Sequence, residues 1–272
     1  MYQSHWGLRQ SPFRNCLDLE YFYQNPVHEE ALARLFFLVE QRRRLGLLIG
    51  PGGSGKSLLL EVFARQLRRR GSPVASLNLI GVEPAEMLWH LAAQFQVSIE
   101  PPASTAALWR AITDRIAEHR YQQQDTAILL DDADRASRPV FVQIMRLAQS
   151  ERSPESRLTL ILAGDPKHVG QIDHGLLDLA ELRIDLEPWE QADTQQYLAK
   201  SLAQAGCTSS VFAESAVARL HTLSQGIPRR VAQLADLSLL AGAGQELEQI
   251  DAEVVEGVYR ELGGSEPAGC YS

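Results

Sequence analysis

The sequence predicts an α/β three-layer sandwich built on a parallel sheet, followed by a smaller all-helical lid domain. Strand-sized apolar runs alternate with helical periodicity as far as residue 186, and a glycine-rich turn joins one run directly to a helical pattern. Strand signals cease after Pro188.

In order along the chain, Ala31, Leu32, Leu35, Phe36 and Val39 recur at helical spacing, so 28–41 reads as an amphipathic helix leading into a strand at 45–49. After the glycine turn, Leu58, Leu59, Val62, Phe63 and Leu67 resume the helical period over 57–70, where Gly71 and Pro73 stop it. A second strand is expected at 74–79, then helices at 84–95 and 104–119 separated by Pro101-Pro102. Residues 126–130 form a nearly unbroken apolar run ending in Asp131-Asp132, as suits a central parallel strand buried on both faces. A helix at 139–149 and strands at 158–163 and 182–186 complete the α/β part. Beyond it lie helical patterns at 192–205, 212–223, 228–240 and 252–262, with Gly206, Gly226 and Gly242 as expected stops. The expected division is an α/β domain at 1–187, a helical domain at 188–263 and a disordered tail at 264–272.

The bulk composition excludes several classes. Apolar residues make up 45% and charged residues 22%, which describes a self-sufficient globular protein. No apolar run approaches the roughly 18 to 20 residues of a bilayer span, and the N-terminus lacks an export pattern. Cys16, Cys207 and Cys270 are odd in number and far apart, so neither disulfides nor a metal framework is expected and the predicted compartment is cytoplasmic. A net charge of −8 disfavours nucleic acid as a partner. The clusters Arg42, Arg43, Arg44 and Arg68, Arg69, Arg70 read as solvated helix ends. The seven histidines show no zinc-binding spacing.

The chemistry is carried by Gly50-Pro51-Gly52-Gly53-Ser54-Gly55-Lys56-Ser57, which fits G-x-x-x-x-G-K-[ST] between a predicted strand and a predicted helix. Glycines let the main chain curl with its N–H groups inward, and the helix N-terminus adds partial positive charge. Lys56 is suited to the β- and γ-phosphates of ATP, and Ser57 to Mg2+. Leu58 follows at the start of the helix. Chance is a poor explanation, because the chain has only three lysines (Lys56, Lys167 and Lys200). At the end of the 126–130 run, Asp131 is placed as a second magnesium ligand and Asp132 as the group that orients or deprotonates a water. These are Walker A and Walker B patterns of a P-loop ATPase. Asp132 is one methylene shorter than the Glu that motor-type proteins place there, so slow turnover is expected.

With those motifs in place, Trp6-Gly7-Leu8, Pro12-Phe13, Phe22-Tyr23, His28-Glu29-Glu30-Ala31, Ala163-Gly164-Asp165-Pro166 and Gly226-Ile227-Pro228-Arg229-Arg230 together resemble ExeA/GspA-type AAA+ ATPases of the general secretion pathway and pilus systems. The resemblance runs to Leu262. It implies that Leu8, Pro12 and Phe13 either contact adenine or pack in a core. It also implies that Pro228 and Arg229 belong to a lid motif in which Arg229 reaches the γ-phosphate, while Arg183 is the candidate arginine finger for a neighbouring subunit. Asp165 stands where the family more often has Gln, and an anion beside a γ-phosphate is repulsive, so it is expected to point away or to pair with a cation.

The process implied is assembly of a secretion or pilus apparatus, with homo-oligomerisation on ATP binding and a membrane-associated partner protein. Two alternatives are a DNA-transposition regulator of the TniB/TnsC type, which shares the module, and a slow nucleotide-gated switch.

Overall fold

The computed structural model describes residues 2–13, 22–97, 104–151, 153, 155–207 and 209–263. The expected tail, the Pro101-Pro102 breaker, Cys16 and Cys270 lie outside those residues.

In chain order the elements begin α1 (Tyr2–His5), α2 (Pro26–Glu40), β1 (Leu45–Ile49), α3 (Lys56–Arg69), β2 (Val74–Asn78), α4 (Pro84–Gln94), α5 (Thr105–Tyr121) and β3 (Thr126–Asp131). There follow α6 (Arg138–Ser150), β4 (Leu158–Gly164), α7 (His174–Leu179), β5 (Leu182–Asp185), α8 (Gln191–Gln204), α9 (Glu214–Ser224), α10 (Pro228–Gly244) and α11 (Ala252–Glu261). Periodicity located the longer elements to within a few residues. It missed α1 and α7, which are 4 and 6 residues long and too short to display a helical period.

The chain divides into two compact units. Pro26–Gly52 with Lys56–Leu186 forms the α/β unit. Its five strands are all parallel, in the order β2-β3-β4-β1-β5. β1, β3 and β4 are buried along their whole length, which is why their sequences are unbroken apolar runs rather than alternating ones. Val140, Ile144 and Leu147 of α6 pack with Leu88 and Leu91 of α4 and with Ile128 and Leu160 of the sheet in one cluster.

The second unit comprises Met1–Asn25, Gly53–Gly55 and Glu187–Ser272. The division at 186/187 falls beside the expected boundary, but the N-terminal segment departs from the expected division. Its described residues pack with the helices, because Trp6, Leu8 and Phe13 are apolar side chains buried in one cluster with Leu202, Leu220 and Leu239. Trp6 Nε1 donates to the Leu239 carbonyl at 2.9 Å. Gly242 is not a stop. It lies inside α10, where a Cβ would come within 3.0 Å of both Trp6 and Ile250, so its role is close packing. α9 starts at Glu214 rather than 212, since Phe212 is held in a parallel bridge to Ile250.

Candidate functional site

In a parallel sheet all strands end at the same edge, and ligands are received in the crevice beyond their carboxyl ends. Register sets what gathers there. Ile49 at the end of β1 pairs with Gly164 at the end of β4, and Asn78 at the end of β2 pairs with Asp131 at the end of β3. The residues that follow these four ends are Gly50, Asp165, Leu79 and Asp132, and the glycine turn issues from the first.

Within that turn Gly53 and Gly55 have φ of +89° and +97°, values that L side chains rarely adopt. Lys56 opens α3. Its ammonium is buried and donates to the carbonyls of Gly50 at 2.7 Å and Pro51 at 3.2 Å. Burial pulls the Lys56 ammonium below its ordinary pKa, and attraction to Asp131, Asp165, Asp132 and Asp134 offsets only part of that. One residue on, the Ser57 hydroxyl donates to Asp131 Oδ2 across 74 residues of sequence.

The other oxygen of Asp131 accepts the Asp132 N–H at 2.9 Å. Burial raises the Asp131 pKa, opposed chiefly by the Ser57 hydrogen bond. A desolvated carboxylate joined to a hydroxyl gains much from a nearby cation, so this pair fits a magnesium ion. Curled glycines, a lysine at the turn and an oxygen pair beside it also fit a metal-bound polyphosphate.

The AAA domain family matches residues 39–172. The general secretion pathway protein A of Aeromonas hydrophila is 28% identical over 89% of the chain, which spans 45% of that relative's length. The ExeA/GspA-type resemblance seen in the motifs is therefore carried by most of the sequence. Among solved structures, Cdc6p from Pyrobaculum aerophilum superposes with a TM-score of 0.73 at 16% identity, covering 93% of this chain and 70% of that one. The Thermotoga maritima RuvB Holliday junction branch migration motor gives 0.60 at 14% identity, covering 93% and 74%. At such identities the likeness is one of fold.

The α/β unit holds further polar residues that the sequence did not single out. Asn78 Nδ2 donates to Asp132 Oδ2 at 2.6 Å, while Asn78 Oδ1 accepts the Ile80 N–H at 3.0 Å. Asp132 itself sits in the left-handed region at φ +50°. Asp134 is 2% exposed, and its Oδ1 accepts the Asp165 N–H at 3.2 Å. A Cβ at Gly164 would lie 2.9 Å from that oxygen, so glycine is needed beside it. The only sequence signal for Asp134 was a third acid in Asp131-Asp132-Ala133-Asp134, and no spacing rule marks it.

Asp165 corrects an expectation. Instead of an ion pair it takes main-chain donors: Oδ2 accepts the Gly52 N–H at 3.0 Å and Oδ1 the Lys167 N–H at 2.9 Å. Main-chain donors satisfy this carboxylate because β4 delivers it directly against the glycine turn.

The remaining predicted residues divide between the units. Leu58 is half-buried on α3. Leu8 and Phe13 are buried in the core of the helical unit, with Phe13 against the rings of Tyr197 and Phe212. In the helical unit, Pro228 is the first residue of α10 and the Arg229 N–H donates to the Gly53 carbonyl at 3.2 Å, while the Arg229 and Arg230 side chains are exposed. Arg183 on β5 is bound by its neighbour, with Nε and Nη2 donating to Asp185 at 2.8 to 3.1 Å. Within the basic clusters Arg43 pairs with Glu181, Arg68 with Glu61 and Arg70 with Glu40.

Proposed function

We propose that this chain binds ATP with magnesium in the 50–57 loop and hydrolyses it, in support of assembling a secretion or pilus apparatus together with a membrane-associated partner. The Ser57–Asp131 pair beside the buried Lys56 ammonium carries the reading, because it joins the two motifs that a phosphate-binding turn and a metal-binding strand end require. Main-chain amides of the turn receive phosphate oxygens, and Lys56 places a full positive charge at the β- and γ-phosphates. Ser57 and Asp131 hold magnesium, which supplies positive charge to the same oxygens. Asp132 orients a water and takes its proton, and Arg229 on the lid counters charge on the transferring group. An arginine-finger role for Arg183 in a neighbouring subunit requires it to leave Asp185. The process is inferred from the general secretion pathway relative.

A second reading, a slow-turnover nucleotide-gated switch, draws support from Asp132. Its carboxylate is engaged by Asn78 and its backbone is in the left-handed region. Single-turnover hydrolysis separates the two. Asp132→Asn is expected to slow hydrolysis by about a hundredfold or more with nucleotide affinity kept, since general-base groups contribute roughly 10²- to 10⁴-fold. An undiminished rate in Asp132→Asn would remove Asp132 from the reaction. A large gain in Asp132→Glu would favour the switch.

A further inference from the structure

Helices α2 and α3 finish at the same edge of the α/β unit, the one opposite the glycine turn. α2 runs into the start of β1, while α3 leaves the turn at Lys56 and returns over 14 residues, about 20 Å at 1.5 Å per residue. The Arg42, Arg43, Arg44 cluster therefore meets the Arg68, Arg69, Arg70 cluster in space. Arg70 makes the junction: its Nη1 donates to Glu40 Oε1 at 3.2 Å, and its guanidinium carbon lies 4.1 Å from the centre of the Phe36 ring on α2.

With Arg65 of α3, seven arginines on this face meet three carboxylates, Glu40, Glu61 and Glu181. Among the described residues no carboxylate pairs with the exposed side chains of Arg42, Arg65 and Arg69. An excess of four positive charges is thus gathered on one face of a chain whose net charge is −8. On the same stretch of α2, one turn before Glu40, the Phe37 side chain is 48% exposed. Helix dipoles account for cations in a last turn, but not for an exposed ring beside them.

We propose that this face docks on an anionic phospholipid bilayer, with the arginines at the headgroup phosphates and Phe37 at the acyl boundary. The inference goes beyond the nucleotide reading and does not rest on it. Interfacial docking draws on apolar area and on attraction to anionic lipid together, and this face offers both. Nucleic acid suits it less well. Stacking on bases needs aromatic rings in series along a groove, and Phe37 is the one large hydrophobic exposed on α2 and α3. A long polyanion would also run past the patch onto a negatively charged protein, whereas a bilayer meets only the face turned toward it.

Vesicle co-sedimentation tests this. Wild type should bind phosphatidylcholine vesicles carrying about 30% phosphatidylglycerol, ignore pure phosphatidylcholine, and be weakened by about 0.5 M salt. Arg65→Gln/Arg69→Gln should bind about 25-fold more weakly, at roughly fivefold for each arginine near the surface. Phe37→Ser should lose about two- to fivefold while keeping the salt dependence of wild type. Arg110→Gln/Arg260→Gln removes the same charge from exposed sites on α5 and α11, and should change binding by less than about twofold. Wild type that ignores the anionic vesicles at low salt would overturn the proposal. Equal losses in the two double variants, which describe whole-molecule charge, would do the same, as would a Phe37→Ser variant as tight as wild type. Capture of a labelled DNA duplex in place of the vesicles, lost in Arg65→Gln/Arg69→Gln, would overturn it in favour of nucleic acid.

Discussion

Lys56 and His119 are both held partly out of water, and each side chain is pushed toward its neutral form. For Lys56 that push suits the proposed role, since an ammonium already stripped of water loses little more on meeting a phosphate. For His119 it accompanies packing. Its ring is buried edge-on to Phe95, with Nδ1 3.2 Å from Thr126 Oγ1. Burial lowers the His119 pKa, Arg115 lowers it further, and Glu118 acts the other way. Because the folded pKa lies below the unfolded one, the unfolded chain takes up the proton first. Stability is therefore unaffected above the unfolded value, about 6.5, and falls as pH drops from there toward the lowered folded value. Urea midpoints of wild type between pH 8 and pH 5 should show this fall, and His119→Gln should have a shallower slope whatever its absolute stability; equal slopes would contradict the assignment. At this scale the sequence was readable where chemistry demands a fixed spacing, as at Lys56, Ser57 and Asp131. It was silent at Asp134 and Asn78, whose partners Asp165 and Asp132 lie just past the ends of β4 and β3 and are brought in by register.

Glycines at element ends show why some punctuation was legible and some was not. Gly226 follows α9 with φ +66°, and a Cβ there would meet the Trp189 carbonyl oxygen at 2.2 Å. Its carbonyl also accepts the Trp189 N–H at 2.9 Å. Gly226→Ala combines a left-handed backbone with a main-chain collision and is expected to cost more than about 2 kcal/mol, measurable as a lowered urea midpoint. A midpoint shift below about 0.5 kcal/mol would contradict the geometry. Gly242 looked alike in sequence yet lies inside a helix, since a stop glycine and a packing glycine differ only in their tertiary neighbours. The buried strands β1, β3 and β4 were legible because burial on both faces demands apolar residues throughout.

For the whole molecule, the ordering of elements along the chain was enough to give a parallel sheet with helices and a helical region after it. The placement of the N-terminal segment was not, because Trp6, Leu8 and Phe13 form no periodic pattern that announces a destination. Among the described residues no helix is long and apolar enough to cross a membrane. Self-association driven by nucleotide is the prediction that belongs here. Sedimentation velocity with magnesium and a non-hydrolysable ATP analogue should move wild type to a larger species and leave Lys56→Ala unmoved; the same shift in both would separate assembly from the phosphate loop.

The most direct test of the nucleotide site is calorimetric titration of magnesium-ATP into wild type and Lys56→Ala, with thermal melting as a check on folding. Wild type should bind with a resolvable heat, and Lys56→Ala should show none while melting cooperatively. Equal affinity in the two proteins would contradict the account, because the buried ammonium would then have no part in holding the phosphates.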